Sequence, residues 1–198
     1  TFKVSDANNQ QFVLRRPPLG HVLESAHDMG REYKIISALQ DCAVPVAKTW
    51  GMCNDKSIND AAFYVMDFIG GPVLHDSILG AEVDSQQRRD LGFDVIEILA
   101  TLHQINPDEV GLGDLGRKEA YLARQLKRWS KQWLAAKTHE IPAMEECARI
   151  LQETMPQQIG ASIVHGDYRL GNMIVNNGKV SAILDWELCT LGDPLADV

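Results

Sequence analysis

Three side chains whose oxygens could bind a metal or accept a proton lie close together in the last fifth of the sequence. Asp167 and Asn172 are five residues apart in the segment IVHGDYRLGNMIV, and Asp185 follows Asp167 by 18 residues. The flanking residues are mainly aliphatic, as in a buried strand. Such strands rarely carry charged or amide groups unless these groups are hydrogen-bonded or used. The pattern therefore indicates a functional site.

A β-hairpin is predicted to bring these side chains together. The segments NMIVNN and KVSAILDWE read as strands, and Asn177-Gly178 between them is a strong signal for a tight turn. Asn172 opens the first strand and Asp185 closes the second, so both lie at the same end of the hairpin, with Asp167 in the loop before it. Asn and Asp oxygens suit a magnesium ion that also binds phosphates, and the remaining Asp can accept a proton from a hydroxyl. This combination predicts phosphoryl transfer.

The motif HGDYRLGN, followed by ILDWE, resembles the catalytic loop and the metal-binding segment of the aminoglycoside phosphotransferase/choline kinase family, which are small-molecule relatives of the protein kinases. The GDPLADV segment and the order of the predicted lobes resemble the same family, so the likeness covers essentially the whole chain. It implies an enzyme that uses ATP and magnesium to phosphorylate a hydroxyl group. It also implies that Asp167 is the catalytic base and that Asn172 and Asp185 bind magnesium.

Two charged residues in the first lobe extend the resemblance to nucleotide binding. Arg15, in FVLRRPP, stands where kinase-like proteins normally carry a lysine that grips the phosphates. Glu32, in GREYKII, is the helix acid that the resemblance pairs with it. Arg16 should point to the opposite face, because side chains alternate along a strand. Arginine at position 15 departs from the family, since a planar fork replaces a compact point charge.

The segment YVMDFIGG resembles the hinge between the lobes of this family. The resemblance implies that Met66 lines the adenine pocket. It also implies that the backbone of Asp67, Phe68 and Ile69 reads the adenine edge.

The acceptor is less well defined. The segment VLRRPPLGHVLESAHDMGREYKIISAL resembles the kinase-like domains attached or related to acyl-CoA dehydrogenases, which implies a hydroxyacyl group, as its CoA thioester, or a hydroxy acid. An aminoglycoside- or choline-type kinase is one alternative, and a nucleotide-binding pseudokinase that serves as an interaction module is another. A protein side chain as acceptor is a third, although no activation segment is recognisable between Asp185 and Asp193.

The predicted fold class is α+β, with two lobes in a protein-kinase-like arrangement. Residues 1–70 are expected to form a small antiparallel sheet with one helix, and residues 71–198 a mainly helical catalytic lobe that carries the hairpin. Ser25 is a possible N-cap of the first helix, with Asp28 three residues on, and Asp84 or Ser85 caps the next long helix. The apolar stripe of that helix comprises Leu91, Val95, Ile98, Leu99 and Leu102.

A further helix is predicted in GRKEAYLARQLKRWSKQWLAAK, followed by a helix in AMEECARILQETM. The inner side of the first of these two helices is predicted to comprise Tyr121, Leu122, Leu126, Trp129 and Trp133, and both tryptophans are predicted to lie in the core.

Several other polar residues have competing interpretations. His165 is expected to hydrogen-bond backbone near the loop, and Asp197 to brace that loop. Arg169 could contact the acceptor or a phosphate, or it could brace the loop, and Glu187 could approach a second metal. The remaining histidines share no ligand spacing and are interpreted as structural or solvated; they are His21, His27, His75, His103 and His139.

Bulk properties narrow the class of protein. The chain has 198 residues, 45% of them hydrophobic, and a net charge of −8 without a basic stripe, which argues against a nucleic-acid partner. No apolar run approaches the ~18 residues of a membrane span. Four cysteines without metal-ligand spacing predict free thiols and a cytoplasmic location; they are Cys42, Cys53, Cys147 and Cys189. The family's glycine-bearing phosphate loop is expected before Thr1 and its later helices after Val198, so the chain is expected to be partial at both ends.

Overall fold

The computed structural model describes residues 1–18, 28–76, 80–81 and 83–198. The helices are α1 (Met29–Leu39), α2 (Lys56–Asn59), α3 (Ser85–Gln104), α4 (Tyr121–Ala136) and α5 (Pro142–Glu153). The strands are β1 (Phe2–Ser5), β2 (Gln11–Arg15), β3 (Thr49–Cys53), β4 (Phe63–Asp67), β5 (Ser162–Val164), β6 (Met173–Asn176), β7 (Lys179–Ile183) and β8 (Thr190–Gly192). All four cysteines are free. Across the described ranges, no helix is both long and apolar enough to cross a membrane.

The first lobe is a four-stranded antiparallel sheet with α1 packed against it. The strand order is β1-β2-β4-β3, and the register pairs Val13 with Met66. Helix α1 begins after Asp28, whose side chain accepts the amide proton of Arg31 at 3.0 Å, so Asp28 is the N-cap. Ser25, the N-cap expected from the sequence, lies outside the described residues, as do His21 and His27.

The second lobe is built on α3, which is capped by Asp84 as predicted. Leu91, Leu99 and Leu102 are buried, which confirms the apolar stripe expected from helical spacing. The side chain of Asp94 on α3 accepts hydrogen bonds from the Lys179 ammonium at 3.0 Å and the Val180 amide at 2.8 Å. These contacts fix the β6–β7 hairpin on the helix.

The hairpin turn confirms the Asn-Gly prediction. Asn177 and Gly178 have φ values of 51° and 73°, the two positive angles that a two-residue turn of this kind requires. The pairing of β5 with β8 was not predicted. Both strands have three residues, too few to show an alternating pattern.

The connection between the lobes runs alongside the hairpin. Val73 forms a β-bridge with Ile174, and the Val175 backbone amide donates to Pro72 O at 2.9 Å. The side-chain nitrogen of Asn176 donates to Gly70 O at 2.8 Å. These contacts begin at Gly70, the last residue of the predicted first lobe. The division into residues 1–70 and 71–198 stays a prediction.

Helix α4 differs from its prediction in two ways. It begins at Tyr121 rather than near Gly116, because Ala120 is in the left-handed region with a φ of 51°, which is incompatible with a right-handed helix. The prediction that Trp129 lies in the core is wrong, since this residue is 53% exposed. Trp133 is half-buried. Helical spacing identifies an apolar face but not what covers it.

Two buried polar side chains hold the loop that follows β5. Asp197, whose side chain is fully buried, accepts the amide protons of His165 at 2.8 Å and Gly166 at 2.7 Å and contacts His103 Nε2 at 3.1 Å. The ring of His165 contacts Leu184 O through Nε2 at 2.9 Å and accepts the Asp167 amide proton through Nδ1 at 3.2 Å. The expected structural roles of both side chains are thereby confirmed.

The burial of the His165 ring predicts that the free energy of unfolding depends on pH. Burial lowers the pKa of His165, and the nearby carbonyl and carboxylates offset this only in part. In the unfolded chain histidine has a pKa of ~6.5. As the pH falls, the unfolded chain therefore binds the proton at a higher pH than the folded chain does. We expect the free energy of unfolding to fall as the pH drops below about 6.5, by at most ~1.4 kcal/mol per pH unit from this one group.

Thermal unfolding of wild type and His165→Gln between pH 5 and 8 measures this effect. The variant should be less stable at pH 8 but should show a shallower decline on acidification. The matched control is His139→Gln, at an exposed position, which should keep the wild-type slope. An unchanged slope in His165→Gln would show that the ring is not the titrating group.

Candidate active site

Asp167 and Asn172 are in direct contact. The Asn172 side-chain nitrogen donates to Asp167 Oδ2 at 2.7 Å and to the Asp167 backbone oxygen at 2.9 Å. Both residues belong to the loop between β5 and β6, which Gly166 allows to turn sharply. Gly166 has a φ of 87°, and a Cβ there would lie 3.0 Å from Leu188. The contact uses the side-chain nitrogen of Asn172. It leaves the side-chain oxygen of Asn172 able to bind another ligand.

The hairpin brings Asp185 to the same end as Asn172. Met173 is paired with Ile183, and one step further the Leu184 amide donates to Asn172 O at 2.8 Å. Asp185 then turns out of the strand in the left-handed region, with φ 65° and ψ 61°. This conformation is uncommon for a residue with a side chain and persists where the surroundings impose it. Here the neighbouring Trp186, fully buried, anchors the turn.

The carboxylate of Asp167 is ionised at neutral pH. Arg169 Nε lies 3.1 Å from both of its oxygens. Partial burial acts to raise the pKa of Asp167, but the bonds from Arg169 and Asn172 outweigh it and hold the pKa below its ordinary value. An ionised carboxylate can accept a proton from a hydroxyl. Of the two interpretations of Arg169, this contact supports loop bracing, while contact with an acceptor stays a prediction.

Arg15 and Glu32 form an ion pair between the sheet and α1. The Arg15 Nε to Glu32 Oε2 distance is 2.7 Å, and the Glu32 side chain is only 4% exposed. Burial raises the pKa of Glu32, and the bond and charge of Arg15 offset part of that rise. Arg15 Nη2 also lies 3.9 Å from Asp185 Oδ1. A single guanidinium group thus connects the sheet, α1 and the end of the hairpin.

One cavity of about 540 Å³ between the lobes collects eight of the nine residues singled out from the sequence. They are Arg15, Glu32, Met66, Asp67, Phe68, Ile69, Asn172 and Asp185. Asp167 is not among the lining residues, but its carboxylate contacts Asn172, which is. The size is that of a site for a small molecule or cofactor.

The hinge-like segment has one constraint that the sequence did not reveal. The Asp67 amide already donates to Lys48 O at 2.9 Å, and the Asp67 carboxylate accepts the Trp50 indole proton at 2.6 Å. In the predicted adenine contact, Asp67 would therefore have to act through its backbone carbonyl.

Apolar residues from both lobes complete the cavity, and sequence reasoning missed them. Ala47 and Val13 come from the first lobe, and Ile174, Ala182 and Leu184 from the hairpin. The alternation of side chains along β6 and β7 could have identified Ile174 and Ala182 as facing one side. Which side faces the other lobe depends on long-range packing, which no local pattern encodes.

The oxygen groups at the hairpin end do not form a metal site by themselves. No cluster of three or more His, Cys, Asp or Glu side chains suited to a metal occurs among the residues that the structure describes. Magnesium in nucleotide sites is usually held by one or two protein groups together with substrate phosphates and water. Asn172 and Asp185, which line the same cavity as Arg15, fit that kind of site.

Comparison with known sequences gives matches over nearly the whole chain. A sequence model of the phosphotransferase enzyme family matches residues 1–198. Acyl-CoA dehydrogenase family member 10 of Mus musculus is 38% identical over 192 residues, which cover 96% of this chain and 18% of that protein. Acyl-CoA dehydrogenase family member 11 of Homo sapiens is 35% identical over 192 residues, covering 96% and 24%. The chain therefore spans about a quarter or less of the length of these two relatives.

Solved structures show the same fold. A provisionally assigned aminoglycoside phosphotransferase from Ralstonia eutropha JMP134 superposes with a TM-score of 0.85 at 37% identity, covering 98% of this chain and 57% of that chain. The ternary complex of APH(2")-IIa with streptomycin and ATP superposes with a TM-score of 0.67 at 20% identity, covering 99% and 68%. At that identity it shows the common fold alone, and the predicted two-lobed, protein-kinase-like α+β fold is confirmed. The family match over the whole chain, together with this fold, establishes that the chain belongs to the phosphotransferase enzyme family.

Proposed function

We propose that this chain transfers the γ-phosphate of ATP to a hydroxyl group of a small molecule, with magnesium as the metal cofactor. The observation that carries the proposal is that one interlobe cavity holds the Arg15–Glu32 pair, Asn172 and Asp185, with the Asp167 carboxylate bonded to Asn172. Phosphoryl transfer requires a phosphate-binding cation, oxygen ligands for magnesium and a carboxylate that orients the attacking hydroxyl. Each requirement has a residue at this cavity.

The residues divide the work as follows. Arg15, oriented by Glu32, binds the nucleotide phosphates, and Met66 with the segment Asp67–Ile69 borders the adenine. Asn172 and Asp185 would hold magnesium, which neutralises phosphate charge when bound. Asp167 accepts the hydrogen bond of the acceptor hydroxyl and takes its proton. As that proton leaves, the acceptor oxygen bonds to the γ-phosphorus and the bond to the ADP oxygen breaks.

The acceptor class that we favour is a hydroxyacyl-CoA or a hydroxy acid. Support comes from the likeness, at 35–38% identity, to proteins named as acyl-CoA dehydrogenase family members. The structural neighbour at 37% identity, which is named as a provisionally assigned aminoglycoside phosphotransferase, supports an aminoglycoside-type acceptor as the second candidate.

Transfer of labelled phosphate from γ-labelled ATP distinguishes a small-molecule kinase from a protein kinase and from a pseudokinase. The intact gene product is incubated with a small-molecule extract and, separately, with a protein fraction. We expect label in the small-molecule fraction, with none bound to protein. Labelled protein instead would indicate a protein acceptor, and bound ATP with no transfer in either fraction would indicate a pseudokinase.

Replacement of Asp167 tests the predicted base. For Asp167→Ala we expect kcat to fall by about 10²–10⁴, the usual contribution of general-base assistance, while the affinity for MgATP is nearly kept. Steady-state kinetics and nucleotide titration measure the two effects. The control is Asp41→Ala, at an exposed position, which should behave as wild type. Near-normal turnover of Asp167→Ala would refute the assigned role.

Replacement of Asp185 tests the predicted magnesium site. Loss of even an outer partner of a metal typically costs about 10–100-fold in metal affinity. We therefore expect Asp185→Ala to raise the magnesium concentration needed for half-maximal activity by at least about 10-fold. A magnesium titration at fixed ATP measures the shift. An unchanged magnesium requirement would exclude Asp185 as a ligand.

A further inference from the structure

Arg31 bonds to two separate segments of the second lobe with one nitrogen atom. Its Nη2 donates to Leu115 O at 2.9 Å and to Cys189 O at 2.8 Å. Both carbonyls belong to buried residues, since Leu115 is 6% and Cys189 1% exposed. The two carbonyls come from segments that are distant in sequence, so the guanidinium group is a cross-link between them and α1.

The position of Arg31 places this cross-link between two parts of the proposed site. It directly precedes Glu32, and adjacent helical residues point about 100° apart. Glu32 faces Arg15 and the cavity, whereas Arg31 faces the second lobe. Cys189 lies directly after the single turn Trp186–Leu188, which begins next to Asp185. The phosphate-binding pair and the predicted magnesium ligand are therefore connected through Arg31.

A second contact between α1 and the same part of the second lobe is of a different kind. Lys34 Nζ lies 2.5 Å from Asp114 Oδ1, but these side chains are 44% and 75% exposed. Exposed ion pairs contribute little to stability. Charge-assisted bonds to carbonyls of buried residues are stronger, and their loss leaves acceptors unsatisfied. Of the two contacts, the one made by Arg31 is able to fix the helix.

We propose that Arg31 is a positioning residue of the phosphotransferase, which fixes α1, and through it the Arg15–Glu32 pair, against the segment that follows Asp185. This inference rests on the proposed function. Arg31 acts through its neighbours, and its contribution is the relative placement of the phosphate-binding arginine and the metal-binding end of the hairpin. Misplacement of such groups by about 1 Å can cost on the order of 10²-fold in rate.

The test uses Arg31→Ala, Arg31→Lys and the control Lys34→Ala in the intact gene product. We measure the Kd for MgATP, kcat/KM and the unfolding temperature of each variant. Arg31→Ala should raise the Kd by about 10-fold and lower kcat/KM by on the order of 10–100-fold. Arg31→Lys, which keeps a cation that can donate to a carbonyl, should recover part of both losses. Lys34→Ala should stay within about twofold of wild type.

A double-mutant cycle with Arg15→Ala separates positioning from general destabilisation. If Arg31 acts through the Arg15–Glu32 pair, Arg31→Ala should change the Kd for MgATP little in the Arg15→Ala background. A full, additive effect there would overturn the proposal. So would a lowered unfolding temperature with an unchanged Kd and kcat/KM. If Arg31→Ala does not fold, wild-type kinetics and affinity in Arg31→Lys would likewise overturn it.

If the proposed transferase function is wrong, the experiments give a result that differs from the one expected if only the role of Arg31 is wrong. A wild-type protein that binds MgATP but transfers phosphate to no acceptor would refute the transferase activity, while the Kd measurements would still decide the role of Arg31. A wild-type protein that binds no nucleotide would overturn both proposals.

Discussion

The candidate site depends on one backbone hydrogen bond, which the Leu184 amide donates to the backbone oxygen of Asn172 at 2.8 Å. It continues the hairpin ladder one step beyond the last strand pair and thereby sets where the two chain segments diverge. On one side the chain leads back to Asp167, and on the other it leads to Asp185. A shift of the register by one residue would exchange the faces of the strand, and the apolar residues of the hairpin would no longer border the cavity. Because Asp94 fixes the hairpin to α3 through the Val180 amide, this register is tied to the largest helix of the lobe.

The loop before the hairpin is held in a different way, by side chains that satisfy its backbone. Asp197 accepts two consecutive amide protons, and the ring of His165 accepts a third. Polar groups buried in this manner are costly unless each is paired. The same pairing that removes this cost leaves the Asp167 side chain directed toward Asn172 and Arg169. The first lobe contributes the guanidinium group of Arg15 to the cavity. The placement of this group depends on its ion pair with Glu32 of α1.

Several features could be predicted from the sequence because they depend on local chemistry. The Asn177-Gly178 turn follows from the two positive φ angles, and the cap at Asp84 and the stripe on α3 follow from helical geometry. Convergence of Asn172 and Asp185 follows from the hairpin alone. The roles assigned to these side chains and to Asp167 came from the chemistry of their oxygens and from resemblance to a family, and they stay predictions.

Other features depend on contacts that are distant in sequence. The pairing of β5 with β8 joins two three-residue strands and carries no periodic signal. Helix α2 has four residues, too few for a pattern. The exposure of Trp129 and the cross-link made by Arg31 depend on how the helices pack against segments that are distant in sequence. In a single sequence Arg31 looks like an ordinary exposed helix residue.

The central claim is that the interlobe cavity transfers phosphate from ATP to a small-molecule hydroxyl. Release of ADP by the intact gene product with MgATP tests it most directly, using a panel of hydroxyacyl-CoAs, free hydroxy acids, choline and aminoglycosides. Release that depends on one acceptor class, together with formation of the phosphorylated acceptor, is the predicted result. Tight binding of MgATP without release of ADP for any member of the panel would contradict the claim.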